Sequence, residues 1–201
     1  MAEKAKRVVC YGDSNTWGYD PTSLWGDPYP DGVPWPSQLA CHGFEAVNEG
    51  LNGRCVPDDP VSWQRTADML EEDLPAGAIV VMLGTNDLLR GVQCGLRAED
   101  VAGRMRDFLE SKPIRRLQRE APVILVAPPR MRRGALTDLP GLLEESRCLG
   151  AEYGRLAREL GVGFCDASAW DLPMAYDGTH LTPQGHELLA QGLAKVLSAL
   201  S

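Results

Sequence analysis

Residues 7–18 read RVVCYGDSNTWG, a short apolar run that ends in glycine, aspartate and serine. The run is brief, rich in β-branched residues and followed by turn formers, which is typical of a buried strand. A serine at a strand-to-helix turn has its hydroxyl lifted out of the sheet and its backbone N–H at the start of a helix. The stretch predicts a first strand followed by a candidate nucleophile, Ser14, although Gly-Asp-Ser is also common in ordinary turns.

Short apolar runs alternate with longer amphipathic ones along the rest of the chain. Such alternation indicates a parallel sheet covered on both faces, with right-handed crossovers. We predict an α/β fold, a three-layer α/β/α sandwich around a five-stranded parallel sheet of flavodoxin-like order, in one domain over residues 1–201. The predicted strands are Arg7–Tyr11, Glu45–Asn48, Ala78–Leu83, Val123–Ala127 and Gly163–Asp166. The predicted helices lie near Trp35–His42, Val61–Asp73, Arg97–Arg119, Leu139–Leu160 and Pro183–Leu200.

Composition and charge argue against several functional classes. The chain has 28 acidic and 20 basic residues, and its one dense basic stretch, residues 130–133, is too short to follow a phosphate backbone. No apolar run reaches the roughly 18 residues of a membrane span, and the N-terminal residues lack the apolar core of a secretory signal. We therefore expect a cytoplasmic protein without membrane or nucleic-acid partners. The six cysteines show no metal-ligand spacing and are expected to be free thiols.

Two further clusters follow predicted strands, where parallel sheets bind their ligands. Residues 48–54 read NEGLNGR, and a glycine backbone N–H there can donate a hydrogen bond to an oxyanion. Residues 84–87 read GTND, and the side-chain NH₂ of Asn86 can do the same. Taken separately, a plain glycine-rich turn and a helix cap are the more common explanations of these clusters.

The last cluster, residues 176–183, precedes the final predicted helix and holds an aspartate three residues before a histidine. The Asp177 carboxylate can accept a hydrogen bond from Nδ1–H of His180 within a single turn. That bond leaves Nε2 free to take a proton from a serine. His180 is thus the candidate base, and Asp177 the residue that orients it.

The combination of these four motifs resembles the SGNH hydrolase superfamily, also called GDSL lipases, over nearly the whole chain. Within it, the start of the chain is most similar to the bacterial arylesterase/acyltransferase branch. The resemblance implies a serine esterase that forms an acyl-enzyme on Ser14, with His180 as base and Asp177 as its orienting partner. It also implies an oxyanion hole made by Ser14, Gly53 and Asn86, and no metal or organic cofactor. Asn15 stands where the name-giving motif has leucine.

Several aspects of substrate and assembly stay open at this point. A small-molecule ester is the expected partner. The aromatic segment of residues 17–35 is expected to wrap its pocket, and the alternatives are a surface loop stabilised by aromatic packing or a homo-oligomer contact. A carbohydrate O-deacetylase or a thioesterase could use the same triad, and a non-catalytic flavodoxin-like binding module is the alternative from another class. Asp13 is a candidate brace of the serine turn as well as a substrate contact. The candidate substrate-binding residues are Asp13, Asn15, Trp17, Asn52, Arg54 and Tyr176.

Overall fold

The computed structural model describes residues 6–199, and its centre is a sheet of five parallel strands. Their order in the sheet is β2-β1-β3-β4-β5, so the chain first builds one half outward from β1 and then crosses over to build the other. The predicted fold class and flavodoxin-like order are confirmed. The strands are β1 (Lys6–Gly12), β2 (Phe44–Gly50), β3 (Ala78–Met82), β4 (Val123–Ala127) and β5 (Gly163–Asp166).

Eight α-helices connect or follow these strands in the described part of the chain. Within residues 6–199, no helix combines the length and apolar character that crossing a membrane requires. The predicted end of the last helix, Leu200, lies outside the described residues. The helices are α1 (Ser14–Trp17), α2 (Trp35–Gln38), α3 (Pro60–Glu72), α4 (Thr85–Gly91), α5 (Ala98–Glu110), α6 (Lys112–Glu120), α7 (Leu142–Leu160) and α8 (Pro183–Ala199).

The helix predicted over Arg97–Arg119 is in fact two helices, α5 and α6. They are separated at Ser111, whose ψ of 145° is extended, and the Ser111 hydroxyl donates to the carbonyl of Phe108. Pro113 explains the break, because a proline in a helix interior lacks the N–H donor and its ring clashes with the preceding turn. The single-helix prediction was wrong because the amphipathic pattern continues across the proline.

The strand side chains alternate between two separate apolar cores, one on each face of the sheet. Val8 and Cys10 of β1 pack on the face covered by α2 and α8, together with the fully buried Trp35. Val9 and Tyr11 pack on the opposite face with residues of α3, α5 and α7. Because both faces are covered, the carboxyl edge of the sheet is where loop side chains can converge on a ligand.

Candidate active site

Ser14 is the first residue of α1 and lies two residues after the end of β1. Asp13 caps this short helix, since its Oδ1 accepts the backbone N–H of Asn15 at 2.9 Å. A Cβ at Gly12 would lie 2.0 Å from Oγ1 of Thr16 and 2.9 Å from the carbonyl oxygen of Met82, so the turn needs glycine at this point. Close packing between β1 and α1 therefore fixes Ser14 at the carboxyl edge of the sheet.

The structure brings Ser14, His180 and Asp177 together in a hydrogen-bonded chain. Nε2 of His180 lies 3.0 Å from Oγ of Ser14, and Nδ1 lies 2.6 Å from Oδ2 of Asp177. The other carboxylate oxygen of Asp177 accepts the backbone N–H groups of Thr179 and His180 at 2.9 and 3.0 Å. All three triad side chains are buried. The arrangement has the geometry of a nucleophile, a base and an orienting carboxylate.

The electrostatics of Asp177 favour its ionised form. Burial by itself would raise the pKa of this carboxyl, but the hydrogen bonds from the His180 ring and from the two backbone N–H groups outweigh it and hold the pKa below its ordinary value. An ionised Asp177 selects the tautomer in which Nδ1 carries the proton. The lone pair of Nε2 then faces the hydroxyl of Ser14.

Three candidate oxyanion donors belong to residues that line the same cavity. The backbone N–H of Ser14 belongs to the first turn of α1 and has no intrahelical partner. Gly53 has a φ of 74° and, with Asn86, lines the cavity beside Ser14. One N–H of the Asn86 amide donates to the carbonyl of Arg54 at 3.1 Å, which leaves a second N–H for a ligand.

Helix α4, which the sequence did not predict, holds the loop of residues 53–56 in place. Arg90 donates to the carbonyl of Gly53 at 2.9 Å, and the buried carboxylate of Asp87 accepts the N–H of Val56 at 3.0 Å. Asp87 is also paired with Arg104 at 3.2 Å. Together with the Asn86 bond, these contacts tie one short helix to the backbone on both sides of Arg54.

The site opens into a cavity of about 370 Å³ whose walls are mostly apolar or aromatic. Among the described residues, no lysine or arginine lines it, and Arg132 of the basic stretch is instead paired with Asp171 at 2.6 Å. Residues 6–199 also contain no group of His, Cys, Asp and Glu side chains that could hold a metal ion. The lining residues are Ser14, Tyr19, Pro21, Asn52, Gly53, Asn86, Leu89, Ala135, Leu136, Tyr176, Asp177, Thr179 and His180.

Two of the six candidate substrate-binding residues, Asn52 and Tyr176, line this cavity, whereas four do not. The Arg54 guanidinium stacks over the Tyr11 ring at 4.3 Å and donates to the carbonyl of Gly12 at 3.0 Å, so it is engaged with β1. Trp17 is half-buried at the end of α1, outside the cavity. The structure does not place Arg54 or Trp17 at the cavity, contrary to the prediction that they contact substrate. The prediction rested on their position beside a motif, which does not determine where a side chain points.

Asp13 and Asn15 also require correction, since both side chains are buried within the protein. Asp13 caps α1 and so braces the serine turn, and Asn15 bonds to the backbone of the loop that bears His180. Burial raises the pKa of Asp13 to about 6 against the effect of its Asn15 hydrogen bond and of nearby His180. Neither side chain is available to a substrate.

The aromatic segment of residues 17–35 reaches the cavity through Tyr19 and Pro21, and its tryptophans do not line it. The Tyr19 ring lies 4.6 Å from the His180 ring, centroid to centroid, at an angle of 44°. The carbonyl of Pro21 accepts the hydroxyl of Tyr176, another lining residue, at 3.0 Å. Trp25 is 89% exposed, and Trp35 is fully buried in the core.

Three more lining residues were missed by sequence reasoning: Leu89 on α4, and Ala135 and Leu136 in the loop after β4. The backbone N–H of Leu136 donates to the carbonyl of Asp177 at 3.0 Å, and this bond draws the loop to the dyad. The position of the loop at a strand end was the available signal. Its long-range hydrogen bonds carry no local sequence pattern.

Residues 10–188 match the GDSL-like Lipase/Acylhydrolase family, and the chain belongs to it. The fold is that of the SGNH hydrolases. The native aryl esterase of M. smegmatis is similar, with 27% identity, a TM-score of 0.81 and coverage of 98% of this chain and 100% of that one. Its inhibitor-bound form aligns with a TM-score of 0.85 at 26% identity, with the same coverage.

A carbohydrate acetylesterase family member from Sinorhizobium meliloti is also similar. It shares 28% identity and aligns with a TM-score of 0.79, covering 97% of this chain and 98% of the other. A comparison with curated protein sequences finds no match. The family and its esterase neighbours support a carboxylic ester hydrolase.

Proposed function

We propose that the chain is a serine esterase that acts on small neutral carboxylic esters through an acyl-enzyme on Ser14. The observation that carries this proposal is the Ser14–His180–Asp177 chain, with distances of 3.0 and 2.6 Å, at the wall of an apolar cavity. The residues that carry the candidate oxyanion donors, Ser14, Gly53 and Asn86, line this cavity. The proposed nucleophile, base and oxyanion donors thus share one cavity, which supports acyl transfer.

In the proposed mechanism, Oγ of Ser14 attacks the ester carbonyl carbon while Nε2 of His180 takes the hydroxyl proton. The resulting oxyanion accepts hydrogen bonds from the N–H groups of Ser14 and Gly53 and from the Asn86 amide. Collapse breaks the bond to the alcohol oxygen, which receives the proton from His180 and leaves. A water molecule or a second alcohol then attacks the acyl-enzyme and gives its proton to His180. As the bond to Oγ of Ser14 breaks and the acid or a new ester is released, His180 returns that proton to Oγ.

The cavity walls support a compact, uncharged substrate. Its volume of about 370 Å³ is near the lower end of the range for small-molecule sites, and Tyr19, Leu89 and Leu136 offer apolar contact. The similarity to the M. smegmatis aryl esterase favours aryl or short-chain esters. An acyl-CoA thioester fits less well, because its phosphates would meet no cation among the described lining residues.

Acetylated sugars are the second candidate substrate class. The specific support is the similarity to the Sinorhizobium meliloti carbohydrate acetylesterase family member. Both classes place the same small acyl group at Ser14 and differ only in the alcohol that leaves. A panel of aryl acetates, sugar acetates and acetyl-CoA separates these alternatives by their values of kcat/KM.

Burst kinetics with p-nitrophenyl acetate test the proposed nucleophile. The wild type is expected to release a burst of p-nitrophenolate equal to the enzyme concentration if deacylation is the slower step, and Ser14→Ala is expected to show no burst and no turnover. Ser168→Ala is the matched control, since Ser168 is buried like Ser14 but does not line the cavity. Hydrolysis that persists unchanged in Ser14→Ala would contradict the proposal.

A further inference from the structure

The side-chain amide of Asn15 joins the helix of the nucleophile to the loop of the base. Its Nδ2 donates to the carbonyl of Thr179 at 3.0 Å, and its Oδ1 accepts the N–H of Leu181 at 2.9 Å. These two backbone groups flank His180 on either side. Asn15 is only 3% exposed and does not line the cavity, so a substrate cannot use its amide.

The loop that bears His180 connects β5 to α8 and belongs to neither element. It has anchors of its own: the N–H of Ala175 donates to the carbonyl of His180 at 2.7 Å, and the hydroxyl of Tyr29 donates to the carbonyl of Leu181 at 3.3 Å. Neither of these two bonds connects the loop to Ser14 or to helix α1. The Asn15 amide does connect the loop to α1, because Asn15 follows Ser14 directly in that helix.

From this arrangement we infer that Asn15 is a positioning residue that sets the distance between Oγ of Ser14 and Nε2 of His180. The inference rests on the proposed function of Ser14 and His180. The leucine of the name-giving motif could fill the same space but could satisfy neither backbone group. The carbonyl of Thr179 and the N–H of Leu181 are buried, and an unsatisfied buried group is costly enough to shift the loop.

A shift of the His180 loop should slow the chemical step without weakening substrate binding. A misplacement of about 1 Å at a catalytic group can cost roughly 10²-fold in rate. We therefore expect Asn15→Leu to lower kcat about 10- to 100-fold for p-nitrophenyl acetate, with KM within about twofold of wild type. A split of this kind separates positioning from substrate contact.

Thr66→Val is the matched control for a general loss of stability. Thr66 and Tyr11 share a buried hydrogen bond of 3.1 Å between their hydroxyl oxygens, outside the cavity. This variant therefore also removes one buried hydrogen bond, and its kcat is expected to stay within about twofold of wild type. Thermal unfolding of both variants shows whether each is folded at the assay temperature.

Asn15→Asp is a second variant, and it tests the positioning role if Asn15→Leu does not fold. Its carboxylate can still accept the Leu181 N–H but can no longer donate to the Thr179 carbonyl, whose oxygen it repels, so a lowered kcat at unchanged KM is expected. The inference is overturned if Asn15→Leu, or Asn15→Asp in its place, has the kcat of Thr66→Val. It is also overturned if KM rises as much as kcat falls. Ser14→Ala is measured alongside: full activity there would instead overturn the proposed function itself, together with this inference.

Discussion

At the scale of the residue, the central feature is the number of separate contacts that hold His180 and its loop in place. His180 is oriented by Asp177 through a 2.6 Å bond, packed against the Tyr19 ring and bracketed by the Asn15 amide. Ser14 itself needs little more than a capped turn and a glycine before it. The nucleophile is thus placed mainly by its own turn, whereas the base depends both on Asp177, three residues before it, and on long-range contacts with Tyr19 and Asn15.

Replacing the Asp177 carboxylate tests its assigned role in orienting His180. Asp177→Asn is nearly isosteric but cannot fix the Nδ1–H tautomer in the same way, and its NH₂ can favour the wrong one. By analogy with serine proteases, kcat should fall by roughly 10³- to 10⁴-fold while the fold is kept. Steady-state kinetics and circular dichroism check the two halves of this expectation. A kcat within tenfold of wild type would contradict the assigned role.

The buried Asp13 predicts a pH-dependent stability term. Burial raises the pKa of Asp13 from 3.8 to about 6, so its contribution to folding is fully present below pH 3.8 and is lost as the pH rises through about 6. Asp13→Asn keeps an oxygen for the Asn15 N–H and removes this ionisation. The difference in unfolding free energy between variant and wild type should therefore grow in favour of the variant from pH 4 to pH 7, by an amount on the order of 2 kcal/mol. Urea unfolding at both pH values measures it, and a constant difference would refute the expectation.

At the scale of the element, helix α4 is the component that positions the candidate oxyanion donor on Gly53. Asn86, Asp87 and Arg90 all reach the segment of residues 53–56 from its first and second turns. Family resemblance implied Asn86 as a donor, but not that its helix supports the Gly53 loop. A helix of seven residues is too short to show a clear amphipathic period, and this is why it was missed.

Removal of the Arg90 guanidinium should loosen the Gly53 loop. Arg90→Met frees the carbonyl of Gly53, and Arg90 itself does not line the cavity. Loss of a whole oxyanion donor costs about 10²- to 10³-fold, so a loosened one is expected to lower kcat about 5- to 10-fold. Arg116→Met is the control, because Arg116 makes only an exposed pair with Glu71 at 2.7 Å. Equal kcat values for the two variants would show that Arg90 does not position the loop.

The strands and the motifs that follow them could be predicted from the sequence, whereas the directions of some side chains could not. The five strands were predictable because short apolar runs between turn formers are typical of strands buried on both faces. The motifs that follow them could be assigned to one sheet edge, since parallel strands all end on the same side. The directions of Arg54 and Asn15 could not be predicted, because the sequence places them beside motifs but the tertiary fold determines which backbone groups their side chains meet.

At the scale of the whole molecule, His186 connects helix α8 to helix α2 and to the segment that precedes α2. His186 is fully buried on α8, its Nδ1 accepts the N–H of Trp35 at 3.3 Å, and the Tyr29 ring meets it edge-on at 5.6 Å between centroids. Burial, with a smaller effect of His180, lowers the pKa of His186 to about 4. The folded protein therefore holds this histidine neutral where the unfolded chain would be protonated.

Acid should consequently weaken the fold through His186. The stabilising contribution is fully present above pH 6.5 and is lost as the pH falls towards 4, on the order of 2–3 kcal/mol in total. His186→Asn retains an acceptor for the Trp35 N–H but does not titrate. Its unfolding free energy, measured in urea at pH 7 and pH 4.5, should change less between the two values than that of wild type. An identical change in both proteins would refute this account.

The central claim, an acyl-enzyme on Ser14, is tested most directly by trapping that intermediate. The enzyme is mixed with p-nitrophenyl acetate, quenched in acid within the burst, digested and analysed by mass spectrometry. The account predicts one acetyl group on the peptide that contains Ser14 and none in Ser14→Ala. An acetyl group on another residue, or turnover with no acetylated peptide at any quench time, would contradict it.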